Sequence, residues 1–429
     1  MTVLDQPHLL LRWSHAATVL GAGVLAVAMA LTVTSGTASA DTVTANFSAG
    51  AHPEGMAITP DGTRAYIVNA SNGVSTVSVI DTASNTVIKT ITVGKYPSAV
   101  AVTPDGTRVY VANSSSDTVS VISTASNTVI KTITVGSQPA GVAITPNSSR
   151  VYVTNTTSDS VSVISTANNT VTTSVFSIDS PSGVAITPDG SRAYVTSSDG
   201  DSVSVIDTAT NDVTKTITVG DDPFEVAITP DGLRAYVVNY YDSTVSVIDT
   251  VSNVVTQTVT VGTHPSGVAI TPDGSRAYVT SSDGDSVSVI DTVSNVVTQT
   301  VTVGTYPRGV AITPDGSRVY VTEAGSTVSV ITIEQKPALA GTPAAGIVGE
   351  AYSYAFAVIG KPAPILTVTS GALPGGLALT DAGVLSGTPT TAGSYTFTVT
   401  ATNGGGNVAL PVTVNIIKAS TGSLGNFGS

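Results

Sequence analysis

Very few residues in this chain could do chemistry, and most of those recur at one kind of place. There is no cysteine, which excludes disulfides, thiol catalysis and thiolate metal sites. Beyond residue 40 only two histidines remain, His52 and His264, and each stands just before a proline. Tyr96, Gln138, Ser180, Asp222 and Tyr306 stand before prolines in the same way, and Glu54, Glu225 and Arg308 follow closely. Variable polar residues in a constant frame are how repeated folds present a site. Imidazole and phenol side by side can stack and hydrogen-bond, which suits a polar organic ligand. The candidate ligand-binding set is therefore His52, Tyr96, His264 and Tyr306, with Glu54 and Arg308. Two histidines could share a metal, but Glu54 is the one carboxylate evident nearby, so no metal is expected. Asp199/Asp201 and Asp283/Asp285 flank glycines as hairpin turns do and lack the ligand series of a calcium loop. No nucleophile elbow, phosphate loop or His-Glu-x-x-His motif appears, so no catalytic residue and no cofactor is assigned.

The elements that must position these residues repeat. The prolines at 53, 97, 139, 181, 223, 265 and 307 are spaced 44 residues and then 42 five times. In the sixth copy the runs Gly267–Thr271, Arg276–Thr280, Ser286–Ile290 and Val296–Val303 are rich in β-formers and separated by turn residues. Four antiparallel strands per period of about 42 residues are the blade of a β-propeller. Bulky residues alternate with small ones, so successive blades can nest. The seven tyrosines at 66, 110, 152, 194, 236, 278 and 320 fall inside second strands and are expected in the core with bonded hydroxyls.

Residues 41–53 align without gaps on 85–97, so the chain beyond residue 40 opens with an isolated fourth strand, whereas the seventh copy lacks one. Thr42–Phe47 is expected to complete that copy beside the strand around Thr327–Ile333, closing seven blades into a ring without an open edge. The predicted propeller spans 41–334. Beyond it, 335–417 carries alternating strands with Gly/Pro turns, read as a small β-sandwich behind a linker near Gln335–Pro343. Residues 418–429 form a Gly/Ser tail. The fold class is all-β.

The repeat resembles the YVTN family of β-propellers, on Tyr152-Val153-Thr154-Asn155, the Tyr-Val-Thr-Ser runs at 194–197 and 278–281, and the recurring Ala-Ile-Thr-Pro-Asp-Gly and Val-Ser-Val-Ile-Asp-Thr. The C-terminal segment is similar to the immunoglobulin-like domains of bacterial surface proteins, on Gly349–Tyr352, Leu373–Leu377, Gly387–Pro389 and Gly393–Val399. Propellers host unrelated functions, and this resemblance extends to lactonase-type propellers and to the haem-binding propeller of nitrite reductases. It leaves two classes: a non-catalytic binding scaffold, and an enzyme with its site at the channel mouth.

Charge and the N-terminus narrow the partners. Net charge is −13, and seven of the sixteen basic residues are the arginines 64, 108, 150, 192, 234, 276 and 318, one per repeat. Too few cations remain to neutralise phosphates, so nucleic acid and anionic membrane are not expected partners. Arg12, the apolar run 16–33 and Ala38-Ser39-Ala40 read as a signal peptide cut before Asp41, giving a secreted or cell-envelope protein. The expected function is a monomeric, non-catalytic binding scaffold for an extracellular protein, glycan or envelope component.

Overall fold

The computed structural model describes residues 40–418 except Asn72. The leader expected over 1–40 falls almost entirely outside the described residues, as does the tail after Lys418. Among the described residues no helix is long and apolar enough to cross a membrane.

Each repeat folds into one antiparallel four-stranded sheet. In the sixth these strands are Pro265–Ile270, Arg276–Ser281, Ser286–Asp291 and Val296–Thr302, paired in chain order. The first begins at the proline, the strand position where a missing N–H costs least. The Thr-Pro-Asp-Gly turn that follows closes on itself. Asp273 Oδ1 accepts from Thr271 Oγ1 at 2.7 Å and from the Ser275 amide at 3.0 Å, and Gly274 takes a φ of +71°. In the fourth repeat the Thr187 hydroxyl, helped by the Ser191 amide, holds the equivalent Asp189 carboxyl down to about 2. These aspartates therefore serve the backbone.

The two middle strands of every repeat are almost fully buried, and in the first six repeats the fourth shows one buried residue amid more open ones. Tyrosine burial is complete at all seven repeat positions. Their hydroxyls need acceptors, and each finds one in the next sheet. Tyr66 donates to Asn127 at 2.7 Å, Tyr110 to Asn169 at 2.7 Å and Tyr320 to Asn85 at 2.7 Å. The repeat arginines run alongside: Arg64 Nη1 donates to the Thr124 carbonyl at 2.9 Å and Arg318 Nη1 to the Thr82 carbonyl at 2.6 Å. The last pair joins the seventh repeat to the first.

The seventh sheet is built from both ends of the repeat region. Thr42–Ser48 pairs antiparallel with Thr327–Thr332, Thr42 opposite Thr332 and Ser48 opposite Thr327. Asp41, at the start of that strand, stands where the other repeats have asparagine. Its carboxylate accepts from Tyr278 at 2.6 Å, from Arg276 Nη1 at 2.9 Å and from the Glu334 amide at 2.8 Å. Burial, and then the Asp41 charge, push the Tyr278 hydroxyl far above its ordinary pKa.

The C-terminal module has a four-stranded sheet of Gly346–Ile347, Gly406–Ile417, Gly393–Asn403 and Ile365–Gly371. It faces a three-stranded sheet of Tyr352–Ala355, Val384–Gly387 and Leu377–Leu379. Leu366, Leu385, Phe397 and Val414 form its core. Residues 335–340, expected as linker, are instead a strand paired with Ala357–Lys361. Gln335-Lys336-Pro337 reads as linker chemistry, but Ala338-Leu339-Ala340 can pair and pack, and that outweighs it. Across the junction Lys361 Nζ donates to Asp273 Oδ2 at 3.2 Å.

Removing the Asp41 carboxylate leaves a largely buried guanidinium without its counter-charge. Asp41→Ala should lower stability by about 3 kcal/mol, and Asp41→Asn, which restores the repeat's asparagine, by less. Urea denaturation of the three proteins checks this; equal midpoints would show that the carboxylate holds nothing.

Candidate functional site

The residues before the repeat prolines share one backbone device. His52, Tyr96, Gln138, Ser180, Asp222, His264 and Tyr306 all take positive φ, between 44° and 57°. Non-glycine residues sit there only when surroundings compel it; here all seven carbonyls accept from a backbone amide, and five of the seven amides donate to a side chain. The Tyr306 amide donates to Asp285 Oδ1 at 2.9 Å and the Asp222 amide to Asp201 Oδ1 at 3.1 Å. On the other side the Tyr306 carbonyl accepts from the Ala324 amide at 3.2 Å and the Asp222 carbonyl from the Tyr240 amide at 3.0 Å. The second aspartate of each Asp-Gly-Asp loop thus positions the next repeat's mouth residue. The first aspartate takes that loop's own mouth side chain: Asp199 Oδ2 accepts from Ser180 Oγ at 2.6 Å, and Asp283 Oδ2 lies 2.5 Å from His264 Nδ1. Among the described residues no group of three or more His, Asp or Glu is arranged to hold a metal.

The first strands of all seven sheets surround a cavity of about 700 Å³. Of the candidate residues, Tyr96, Tyr306, Glu54 and Arg308 line it; His52 and His264 do not. Arg308 and Glu54 form an ion pair between the seventh and first sheets. His264 stacks on Tyr240, ring centroids 4.6 Å apart and planes 15° from parallel. Tyr240 in turn lies near Phe224, at 6.5 Å, and Tyr241, at 5.2 Å. Burial raises the Tyr240 hydroxyl, helped by the Asp283 charge. Phe224, Glu225 and Tyr240 also line the cavity. The aromatic surface therefore extends onto the fifth sheet, beside Asp222.

Glu225 is the residue that sequence reasoning passed over. Its position is glycine or alanine in the other six repeats, Gly55, Ala99, Gly141, Gly183, Gly267 and Gly309. A Cβ on Gly183 or Gly267 would come within 2.6 Å or 2.4 Å of a backbone carbonyl in the next sheet. Four sheets clamp this approach with a threonine. Thr280 Oγ1, for example, accepts from the Gly267 amide at 2.8 Å and donates to the Arg308 carbonyl at 2.7 Å. In the fifth repeat Val238 replaces that threonine. Glu225 is exposed to the cavity, and desolvation by the protein packed around that cavity lifts its carboxyl from 4.5 to about 7. The signal was present: Phe224-Glu225 and Tyr240-Tyr241 are departures gathered in one repeat.

Comparison with known proteins gives three partial family matches. The model described as "Choice-of-anchor I domain" matches residues 69–228, "Lactonase, 7-bladed beta-propeller" matches 226–351, and "Putative Ig domain" matches 317–417. Among solved structures, hydrazine synthase of Kuenenia stuttgartiensis superposes with a TM-score of 0.61 at 25% identity, over 66% of this chain and 95% of that one. No curated protein sequence matches. The repeated sheets are propeller-type, joined to an Ig-like module, and no specific activity follows.

An acid whose folded pKa is raised binds an extra proton in the native state between its unfolded and folded values. Glu225 therefore lowers stability as pH rises from about 4.5 towards 7. Glu225→Gln should stabilise the protein at pH 8 by on the order of 1 kcal/mol, reduced from the full shift because water reaches the carboxyl, and change little at pH 4.5. Thermal melts at both pH values decide it; equal effects would remove the desolvation.

Proposed function

We propose that this chain is an exported, non-catalytic binding protein: a closed seven-bladed ring of YVTN type whose central cavity takes a ligand, carried with an Ig-like module. The observation that carries it is the contrast between a uniform frame and a varied lining. Arginine–tyrosine ties and mouth geometry repeat from sheet to sheet. The side chains turned into the cavity do not: Glu54, Phe224, Glu225 and Arg308 occupy positions that are serine, alanine or glycine elsewhere. At 700 Å³ the cavity is of the size that holds small organic ligands or the tip of a chain. Pairing of Thr42–Ser48 with Thr327–Thr332 and the Arg318–Thr82 tie support closure. The anchor-type match and the residues before Asp41 support export to the cell envelope, with an extracellular protein, glycan or envelope component as partner.

Tyr96→Ala, Tyr306→Ala and Arg308→Ala should each reduce retention on cell-envelope material about tenfold, with melting temperature within a few degrees of the parent. Unchanged retention by all three, with the fold intact, moves the site to the Ig-like module. A bound chromophore in the absorbance spectrum, or lactone hydrolysis, would favour an enzyme at the same cavity. N-terminal sequencing of exported material should begin at Asp41; an intact Met1 on membrane-bound protein removes the signal peptide.

A further inference from the structure

We infer that the cavity recognises a protonated organic amine, with Glu225 as its anionic anchor and the aromatic groups of the fifth and seventh sheets as its wall. This rests on the cavity being the binding site.

Among the described residues the charges lining the cavity leave two carboxylates, Asp222 and Glu225, without a side-chain partner. Arg308 is paired with Glu54. The Ser98 and Ser266 hydroxyls are committed to backbone carbonyls of the next sheet. Asp222, on the same strand turn as Glu225, hydrogen-bonds through its amide and carbonyl, and burial with the nearby Asp221, Asp199 and Asp201 raises its carboxyl. Glu225 has neither a hydrogen bond nor an ion pair among the described residues, and no charged neighbour contributes to its shift. An unpartnered carboxylate exposed on the wall of a cavity is open to a cation entering it, and the protein around it weakens competition from water.

The surroundings specify the kind of cation. Phe224, beside Glu225 in the chain, is 44% exposed, and Tyr306 is 52% exposed. Tyr240 completes a face able to meet an ammonium group through its ring electrons. A hard divalent ion requires six or more oxygens, and among the described residues no group of three or more His, Asp or Glu is placed to hold a metal. An anion would have to displace Glu54 from Arg308 and then face Glu225 and Asp222. The net charge of −13 favours entry of cations generally.

Isothermal titration of the purified chain with cadaverine, with choline and with neutral 1,5-pentanediol tests this. At pH 8 one or both amines should bind, and the diol should not. At pH 6 affinity should fall about tenfold, because a carboxyl with a pKa about 7 is then mostly protonated. Glu225→Gln should weaken amine binding at least tenfold at pH 8 and erase the pH dependence, with its melting temperature equal to or above the parent's. Asp212→Asn, an exposed carboxylate outside the cavity, should leave binding unchanged. Amine affinity unaltered in Glu225→Gln, or no amine binding at pH 8, overturns the inference. If no amine binds while Tyr306→Ala still loses envelope retention, the cavity remains the site and its ligand is not a cation. If both fail, the cavity reading falls as well.

Discussion

The architecture depends on a hydroxyl that cannot be satisfied at home. Each repeat tyrosine is fully buried, and its acceptor is a turn asparagine, or Asp41, in the following sheet. A buried hydroxyl without a partner costs about 1–3 kcal/mol, so a sheet lacking its neighbour is incomplete in a way its own residues cannot repair. The arginine beside each tyrosine repeats the same demand with the next sheet's carbonyl. Cooperation between repeats is therefore written into polar contacts as well as apolar packing. The contact between the seventh and first repeats is of the same kind as the others.

With the frame held by those ties, the mouth is free to differ from repeat to repeat. Left-handed backbone at seven non-glycine positions is unfavourable, yet all seven carbonyls and five of the seven amides are held by hydrogen bonds. Side chains there and just beyond the proline can change without touching the core. The fifth repeat has used this freedom most. It exchanges the small residue and threonine that clamp neighbouring strands for glutamate and valine, and adds three aromatic rings nearby.

Most of the frame could be read from the chain because its signals are local and repeated. The strand limits in the sixth copy fall within two residues of those read from β-formers and turns. The alignment of 41–53 on 85–97 pointed to the pairing of Thr42–Ser48 with Thr327–Thr332. What escaped reading was direction. His52 and His264 stand at the right backbone position, yet a left-handed residue aims its side chain by its neighbours, and Asp283 and Tyr240 take His264 away from the cavity. The histidines drew attention as rare chemistry, whereas Glu225, an ordinary residue type, mattered through the enclosure around it. Enclosure is set by seven sheets at once and has no local signature. Residues 335–340 escaped for a related reason, since their partner strand lies beyond the next turn.

The split seventh sheet sets an order of events. Residues 42–48 pair with residues 327–332, so a strand made early in synthesis waits for one made some 280 residues later. Six sheets can form by hairpins from contiguous chain, while this pairing closes a loop of some 290 residues and follows slowly. Until then the leading segment has its alternating face unpaired and the last repeat has an open edge able to accept a strand from another molecule. Crowding therefore acts on this protein chiefly before these two strands meet. A folding factor that shields Thr42–Ser48 during that interval would govern its yield without contacting any other repeat.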